Sequence, residues 1–210
     1  MKNPVLSSLT FAVTLNAAAV TSHTAPLSFD FKDPKGVNNV QFHLDAPLEA
    51  ISGSSNGISG QINFDPAKPA ATTGRIAIDA SSLTVGNSMM KDHLHGSNWL
   101  DVAAYPEITF EATRLAGVRT EGDKTQADVT GKLTVKGVTR EVTVPVVFTY
   151  LPGKLGARLN KPDLAGDLLV LRANFTINRS HFGINPGQMG DKVAESIDLS
   201  LSIAGAAPKA

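Results

Sequence analysis

The sequence contains no cysteine, and this absence removes several classes of protein at once. A chain without thiols has no disulfide scaffold, no thiolate metal site and no cysteine nucleophile. It is compatible with an oxidising compartment, because it has no thiol that could mispair. Long apolar runs are also lacking: the N-terminal run from Val5 to Leu15 is diluted by hydroxyl residues and is too short to span a bilayer.

An excess of charge of either sign is lacking as well. The 19 Lys and Arg residues balance the 19 Asp and Glu residues, so the net charge is zero at pH 7. The chain therefore has no overall field that would attract nucleic acid or an anionic membrane surface. Of the 210 residues, 42% are apolar and 18% are charged, which is enough apolar material for one sizeable core. A single domain is the simplest interpretation.

The N-terminal segment has the pattern of a secretory signal peptide. Lys2 precedes the apolar run, and Ala17-Ala18-Ala19 supplies small residues for cleavage. We expect cleavage after Ala19, with Ser22 as the alternative site, so that residues 1–19 form the signal peptide. The prediction is a periplasmic protein whose folded domain covers residues 27–205. An apolar tail on a cytoplasmic protein is the alternative.

Apolar and polar residues alternate along most of the chain after Leu27, which is typical of β-strands with one dry face and one wet face. The clearest examples are Val142-Val144-Val146-Phe148 and Ile197-Leu199-Leu201-Ile203. Turns containing Gly or Pro separate these runs, which predicts hairpins. The class is therefore all-β, with an antiparallel sheet closed on itself or stacked on another. A barrel of roughly eight to ten strands is either filled solidly or hollow, and alternation does not decide between the two.

Two further segments depart from the alternating pattern. Residues 88–96 have helical periodicity, and we expect one short helix that is capped by Ser88 and closes an end of the barrel. Residues 152–167 contain Pro152, Pro162 and several cations. This composition predicts a long, mobile surface loop.

Three blocks of sequence carry a pattern that is more specific than alternation. The first block comprises His93-Leu94, Trp99-Leu100-Asp101, Tyr105-Pro106 and Ile108-Thr109-Phe110. The second is Gly131-Lys132-Leu133-Thr134-Val135 followed by Gly137-Val138-Thr139, and the third runs from Ile177 to Ile184. In this order the blocks resemble the YceI-like family of secreted lipid- or polyisoprenoid-binding proteins, and the resemblance covers residues 57–203.

The resemblance implies a single, elongated, lipocalin-like antiparallel barrel with a long apolar tunnel for an isoprenoid or acyl chain. We therefore expect a protein that binds, and transports or stores, a polyisoprenoid, an isoprenoid quinone or a long acyl lipid. No catalytic residue and no cofactor are expected. A lipid-modifying enzyme in the same barrel and a solid-core interaction module are the alternatives. The expected partner is the lipid, not nucleic acid or a metal, and the protein is either a monomer or a homodimer.

The wall of the tunnel is predicted from apolar residues on the inner faces of the strands and in the aromatic turn region. A buried methylene contributes about 0.8 kcal/mol, so a chain of about 20 carbons gains on the order of 15 kcal/mol before the cost of ordering it. For any one wall residue, ordinary core packing is an equal alternative. The predicted set is Phe42, Ile62, Phe64, Ile76, Ile78, Trp99, Ile108, Phe110, Val144, Val146, Phe175, Ile177 and Phe182.

Polar residues near the same blocks are candidates for contact with a lipid head group. The candidates are Asp92, His93, Asn178, Arg179 and His181. Arg179 either donates hydrogen bonds to a head-group oxygen or braces the next turn, and we favour bracing. His93 and His95 do not predict a zinc site, because residues two apart on a helix point in different directions.

Overall fold

The computed structural model describes residues 25–209, and strands dominate this range. The predicted signal peptide, residues 1–19, lies outside it. The strands are β1 (Leu27–Asp30), β2 (Asn39–Asp45), β3 (Ala50–Ser55), β4 (Ile58–Phe64), β5 (Thr73–Asp79), β6 (Thr84–Val85), β7 (Glu107–Glu121), β8 (Lys124–Val135), β9 (Val138–Leu151), β10 (Gly166–Asn178) and β11 (Ser196–Pro208). The helices are α1 (Ser88–His95) and α2 (Leu155–Leu159), and short 3-10 turns occupy Pro69–Ala71, Ala80–Ser82 and Arg179–Phe182.

Eight strands close an antiparallel barrel in the order β1-β4-β5-β7-β8-β9-β10-β11, with β11 pairing back to β1. This confirms the predicted fold class. The strand β11 changes its neighbour along its length, because Leu199 lies opposite Phe42 of β2 whereas Ala206 lies opposite Asp30 of β1. The strands β2, β3 and β6 therefore widen the wall where β11 begins. We call that side of the barrel the mouth, and the side where β9 ends and β10 begins the base.

The period-two pattern of the sequence becomes the two faces of the wall. In β9, Val144, Val146 and Phe148 are buried, whereas Thr143 before them and Pro145 between the two valines are exposed. A bulge in β7 between Ala112 and Arg114 shifts the alternation of that long strand. None of the helices within residues 25–209 has the length and apolar character that a bilayer crossing requires.

Charged residues on the outer face follow one another across four strands with alternating sign. Glu111 of β7 lies opposite Arg75 of β5 on one side and opposite Lys132 of β8 on the other. Lys132 in turn lies opposite Glu141 of β9. Opposite charges at facing positions favour this strand register over a slip by one residue, which would also turn the apolar face outward.

The base half of the barrel is filled by aromatic rings. The ring of Phe64 stacks on Phe148 with centroids 5.9 Å apart and an interplanar angle of 13°. Tyr150 lies 6.1 Å from Phe64, and Phe29 lies 6.3 Å from Tyr150. We call Phe148, Phe64, Tyr150 and Phe29 the base stack. Because it packs with buried aliphatic residues of β10 and β11, the base is closed to a ligand.

Asp167 fixes the base stack to the backbone. Its carboxylate is 1% exposed and accepts hydrogen bonds from the Tyr150 hydroxyl at 2.8 Å, the Gly153 N–H at 2.9 Å and the Lys209 ammonium at 2.9 Å. Burial by itself raises the pKa of Asp167, but these hydrogen bonds outweigh it and hold that pKa below its ordinary value. Burial, followed by the hydrogen bond to Asp167, raises the pKa of Tyr150 to about 12.

The connection from β1 to β2 is held by the buried side chain of Asn38. Its amide donates to the carbonyls of Phe31 and Ala204, both at 3.0 Å, and its oxygen accepts from the Ala204 N–H at 2.8 Å. Arg158 donates to Asn38 at 3.2 Å and to the Asp33 carboxylate at 3.0 Å. The connection is thereby attached to β11 and to α2.

Two local predictions are corrected. Residues 152–167 are not simply a surface loop, because they include α2 and the side chain of Leu155 is only 1% exposed. The helix α1 is present where it was predicted, but Asn87 rather than Ser88 caps it. The side-chain oxygen of Asn87 accepts hydrogen bonds from the N–H groups of Met89 and Met90.

The first prediction concerns Asn38. Asn38→Ala leaves the Phe31 carbonyl and both Ala204 backbone groups without their partner, so we expect the free energy of unfolding to fall by about 2–4 kcal/mol. Asn39→Ala is the matched control, because that amide makes a single exposed hydrogen bond to the Val37 carbonyl. Urea unfolding measures both variants. Equal losses for the two variants would refute the role given to Asn38.

The second prediction concerns alkaline pH. An unfolded tyrosine ionises near pH 10, whereas folded Tyr150 stays protonated until a pH of about 12. The folded state therefore holds more protons between these values, so this contribution is complete below pH ~10 and is lost as the pH rises toward the folded pKa. We expect Tyr150→Phe to reduce the fall in unfolding free energy across this window. Tyr105→Phe is the control, because Tyr105 is exposed; identical pH slopes in both variants would contradict the expectation.

Candidate ligand-binding cavity

A cavity of about 1050 Å³ occupies the barrel between the base stack and the mouth. Its wall consists mainly of apolar side chains contributed by β2 to β11 and by α1. The volume lies just above the usual range for small-molecule pockets, roughly 300–1000 Å³. The inner faces therefore do not interlock as they would in a solid-core module.

Two glycines keep the lumen open. A Cβ atom at Gly53 would lie 2.2 Å from Cζ of Phe42, and one at Gly131 would lie 2.5 Å from Cζ of Phe110. Such distances are far shorter than a van der Waals contact. Each phenyl ring thus lies against the wall, over the glycine, where a larger residue would displace it.

Most of the predicted site residues lie in the wall of this cavity. Eleven of the thirteen predicted wall residues line it, together with Arg179: Phe42, Ile62, Ile76, Ile78, Trp99, Ile108, Phe110, Val144, Val146, Phe175, Ile177 and Arg179. Phe64 and Phe182 are not wall residues. Phe64 is 2% exposed and lies behind Phe148 in the base stack, whereas Phe182 packs in a separate buried cluster with Leu100 and Leu133. Alternation assigns a face to each side chain but not its depth along the barrel axis.

Arg179 is buried at the mouth and is 1% exposed. A guanidinium has five N–H donors, and here each of them reaches a backbone carbonyl. The acceptors are the carbonyls of Ala194 at 3.1 Å, Ile184 at 3.0 Å, Val193 at 3.4 Å, Asn185 and Gln188. The Glu195 carboxylate lies 3.8 Å from Nε. Because no donor remains for a head group, the geometry supports bracing as the role of Arg179.

The segment that Arg179 braces, residues 183–195, forms one side of the mouth, and we call it the mouth loop. Asn185 and Met189 adopt left-handed backbone conformations with φ of 40° and 57°. The Glu195 carboxylate accepts hydrogen bonds from the N–H and the hydroxyl of Ser180, and the hydroxyl bond is the main reason that the pKa of Glu195 lies below its usual range. The Leu48 N–H donates to the Asp191 carbonyl at 2.9 Å, which joins the β2–β3 hairpin to the loop.

Polar side chains reach the cavity at its mouth. They are Glu49, Asp92, His93, Asn185, Gln188 and Lys192, together with Ser97 and Asn98. Of the head-group candidates, Asp92 and His93 on α1 are therefore placed at the opening. Asn178 and His181 are not wall residues: the Asn178 side chain accepts from Ser196 at 3.3 Å, and the His181 carbonyl accepts from Arg140 at 3.0 Å.

The contribution of the mouth loop was missed by sequence reasoning. The signal that could have revealed it is the glycine-containing stretch with Gly183, Gly187 and Gly190, which follows Arg179 and interrupts the strand pattern.

His95 makes a 2.8 Å hydrogen bond to the Leu83 carbonyl. Within the described range, no group of three or more His, Asp or Glu residues is arranged to hold a metal ion.

A closed antiparallel barrel with an apolar cavity and a polar mouth is the architecture of lipocalin-like proteins. The chain belongs to the YceI-like domain family, whose model matches residues 33–204. This match includes β2 and β3, which the sequence resemblance did not reach.

Similar proteins include curated relatives and solved structures. A UPF0312 protein of Pseudomonas putida is 32% identical over 160 residues, which is 76% of this chain and 75% of the relative. The crystal structure of Burkholderia cenocepacia BcnA has a TM-score of 0.65 at 27% identity and covers 80% of this chain and 95% of its own. A polyisoprenoid binding domain from Saccharophagus degradans, implicated in plant cell wall breakdown, also gives 0.65, at 13% identity, over 87% and 99% of the two chains. At that identity the likeness concerns the fold alone.

The third prediction concerns Arg179. In Arg179→Met the carbonyls of the mouth loop lose five donors inside the protein, so we expect the free energy of unfolding to fall by at least about 3 kcal/mol. The loop should also become the preferred site of limited proteolysis. Arg172→Met is the matched control, because Arg172 is exposed on the outer face of β10 and should change stability by less than about 0.5 kcal/mol. An intact, protease-resistant mouth loop in Arg179→Met would contradict the bracing role.

Proposed function

We propose that this protein binds a long apolar lipid, with the tail inside the barrel and the head group at the mouth. The chemical classes that fit are a polyisoprenoid, an isoprenoid quinone and a long acyl lipid. The observation that carries the proposal is the cavity of about 1050 Å³, which has a mainly apolar wall, aromatic rings packed at its base and its charged side chains at the mouth. A hydrocarbon chain needs such a wall and no catalytic residue.

The volume is sufficient for a long tail. A group the size of a water molecule takes up about 30 Å³, so the cavity of about 1050 Å³ holds on the order of 35 such groups. Each buried methylene contributes about 0.8 kcal/mol, from which the cost of ordering the chain is subtracted. Tail length is therefore the main source of affinity.

The charges at the mouth favour an uncharged head group. Among the described cavity-lining cations, Arg179 has no donor left, and Lys192 shares the mouth with the carboxylates of Glu49 and Asp92. A diphosphate would need several available cationic donors. A quinone or an alcohol needs only neutral hydrogen bonds, such as those that Asn98, Gln188 or the His93 ring can supply. The description of the Saccharophagus degradans domain as polyisoprenoid binding supports the same class of ligand.

We further propose that the protein carries or stores its lipid in the periplasm. The support is the signal-like pattern of residues 1–19, together with the need of a hydrocarbon tail for shelter in any aqueous compartment. Amino-terminal sequencing of exported protein should give a start near Val20. An intact Met1 on cytoplasmic protein would contradict this location.

The fourth prediction tests the cavity with two adjacent valines. Val146 lines the cavity, whereas its neighbour Val147 lies on the opposite face of β9. Val146→Phe should fill part of the lumen and weaken the binding of long-tailed prenyl alcohols at least tenfold, because it removes volume for several carbons. Val147→Phe places the same ring outside the barrel and should leave affinity unchanged. Titration of a fluorescent prenyl probe measures both, and circular dichroism verifies that both are folded.

The dependence on tail length separates a binding protein from an enzyme or a head-group receptor. For a series with one head group, affinity should rise with tail length and then level off. His93→Ala should change it by no more than about 0.5–1.5 kcal/mol, the contribution of one neutral hydrogen bond. Affinity that ignored tail length and collapsed in His93→Ala would overturn the proposal. Native mass spectrometry of protein from its own host, with lipid extraction, identifies the ligand.

A further inference from the structure

One aromatic ring of the base stack faces the cavity. Of the four members of the base stack, only Phe148 belongs to the cavity wall. Phe64 lies directly behind it, with nearly parallel rings, and Tyr150 and Phe29 lie further into the base. A tail that enters from the mouth and follows the lumen therefore meets the Phe148 ring at the far end.

The base stack cannot recede from an advancing tail. Phe29, Phe64 and Phe148 are all buried, and the rings of the base stack are in contact in the order Phe148, Phe64, Tyr150 and Phe29. Tyr150 is also fixed through its hydroxyl, which donates a hydrogen bond to the buried Asp167. Asp167 is held in turn by the Gly153 N–H and Lys209. Close-packed interiors have few voids and low compressibility, so the Phe148 ring has no free volume to move into.

We propose that Phe148 determines the maximum tail length that this protein accepts. The inference rests on the proposed lipid-binding function and adds a specificity-determining residue to it. Carbons up to the Phe148 ring are buried and contribute to affinity. Further carbons have no space in the barrel and stay in water at the mouth, where they contribute little.

The size of the ring sets the expected change. Phe148→Ala removes six ring carbons, which is about the volume of one five-carbon isoprene unit, and exposes the face of Phe64 to the lumen. The levelling-off point, which is the tail length beyond which affinity no longer rises, should therefore move by about one isoprene unit toward longer tails. Phe148→Trp should move it toward shorter tails, and Phe148→Leu should give a smaller shift in the same direction as alanine.

The experiment compares these variants on one series of prenyl alcohols that differ by single isoprene units. Phe182→Leu is the matched control, because Phe182 is buried in the separate cluster with Leu100 and Leu133, so that the change destabilises the protein but belongs neither to the cavity wall nor to the base stack. It should keep the wild-type levelling-off point. Circular dichroism and thermal unfolding establish that each variant is folded at the temperature of the titration, and Phe148→Leu provides the test if the alanine variant does not fold.

The outcomes separate this inference from the function on which it rests. Wild-type protein that binds no member of the series overturns the proposed function itself. If the wild-type affinity levels off and Phe148→Ala and Phe148→Leu do not move that point, the lipid-binding function stands. The role proposed for Phe148 is then overturned. Wild-type affinity that never levels off shows that the tail leaves the barrel elsewhere, for example beside Thr73, an exposed wall residue, and also overturns it. A shift in the Phe148 variants but not in Phe182→Leu supports the inference.

Discussion

The hydrogen bonds of one short strand close the sheet into a ring, and the rest of the architecture depends on them. β1 has four residues, yet it pairs with β4 along its length and reaches β11 at Asp30. Without it, β4 and β11 would each present an open edge toward the base. Because β1 is so short, it closes the base side only, and β2, β3 and β6 complete the wall toward the mouth. The narrow part is small enough for aromatic rings to fill, whereas the wide part is not, which is why one barrel has both a solid core and a cavity.

The two ends of the barrel contain its most deeply buried charges, and both charges are neutralised locally. Arg179 at the mouth binds backbone carbonyls and lies beside the Glu195 carboxylate. Asp167 at the base accepts from one backbone N–H, the Tyr150 hydroxyl and the Lys209 ammonium. Within residues 25–209, every buried side-chain nitrogen or oxygen has a hydrogen-bond partner. The lumen between the ends therefore presents a nearly continuous apolar surface with no unsatisfied polar group to attract water or to require a polar ligand. The hydrogen bonds of Asp167 and Arg179 make the base and the mouth rigid. The apolar wall of the cavity between them selects for apolar ligands.

The sequence was sufficient for the fold class, because each strand has to keep one apolar face. The wall positions of Val144 and Val146 follow from alternation alone, and the block that begins at His93 pointed to the family. The depth of a side chain along the barrel axis was not predictable. Phe64 and Val146 both point inward, but only the packing of neighbouring rings shows that Phe64 lies behind the cavity wall. The mouth loop was not predictable either, because its shape depends on backbone carbonyls that accept hydrogen bonds from Arg179. Every residue type has such a carbonyl, so the sequence does not reveal these contacts. The cap at Asn87 differed from the expected Ser88 by one residue, since both side chains can accept from the first turn.

The way in which Arg179 holds the mouth loop has a consequence for how this protein can change over evolutionary time. The arginine contacts main-chain oxygens, and every residue type supplies the same oxygen. The bonds to Arg179 therefore do not depend on the side chains along the loop, such as those of Gln188 and Lys192. Mutation can alter the chemistry displayed at the opening while the scaffold stays constant, in the manner of a hypervariable loop on a fixed framework.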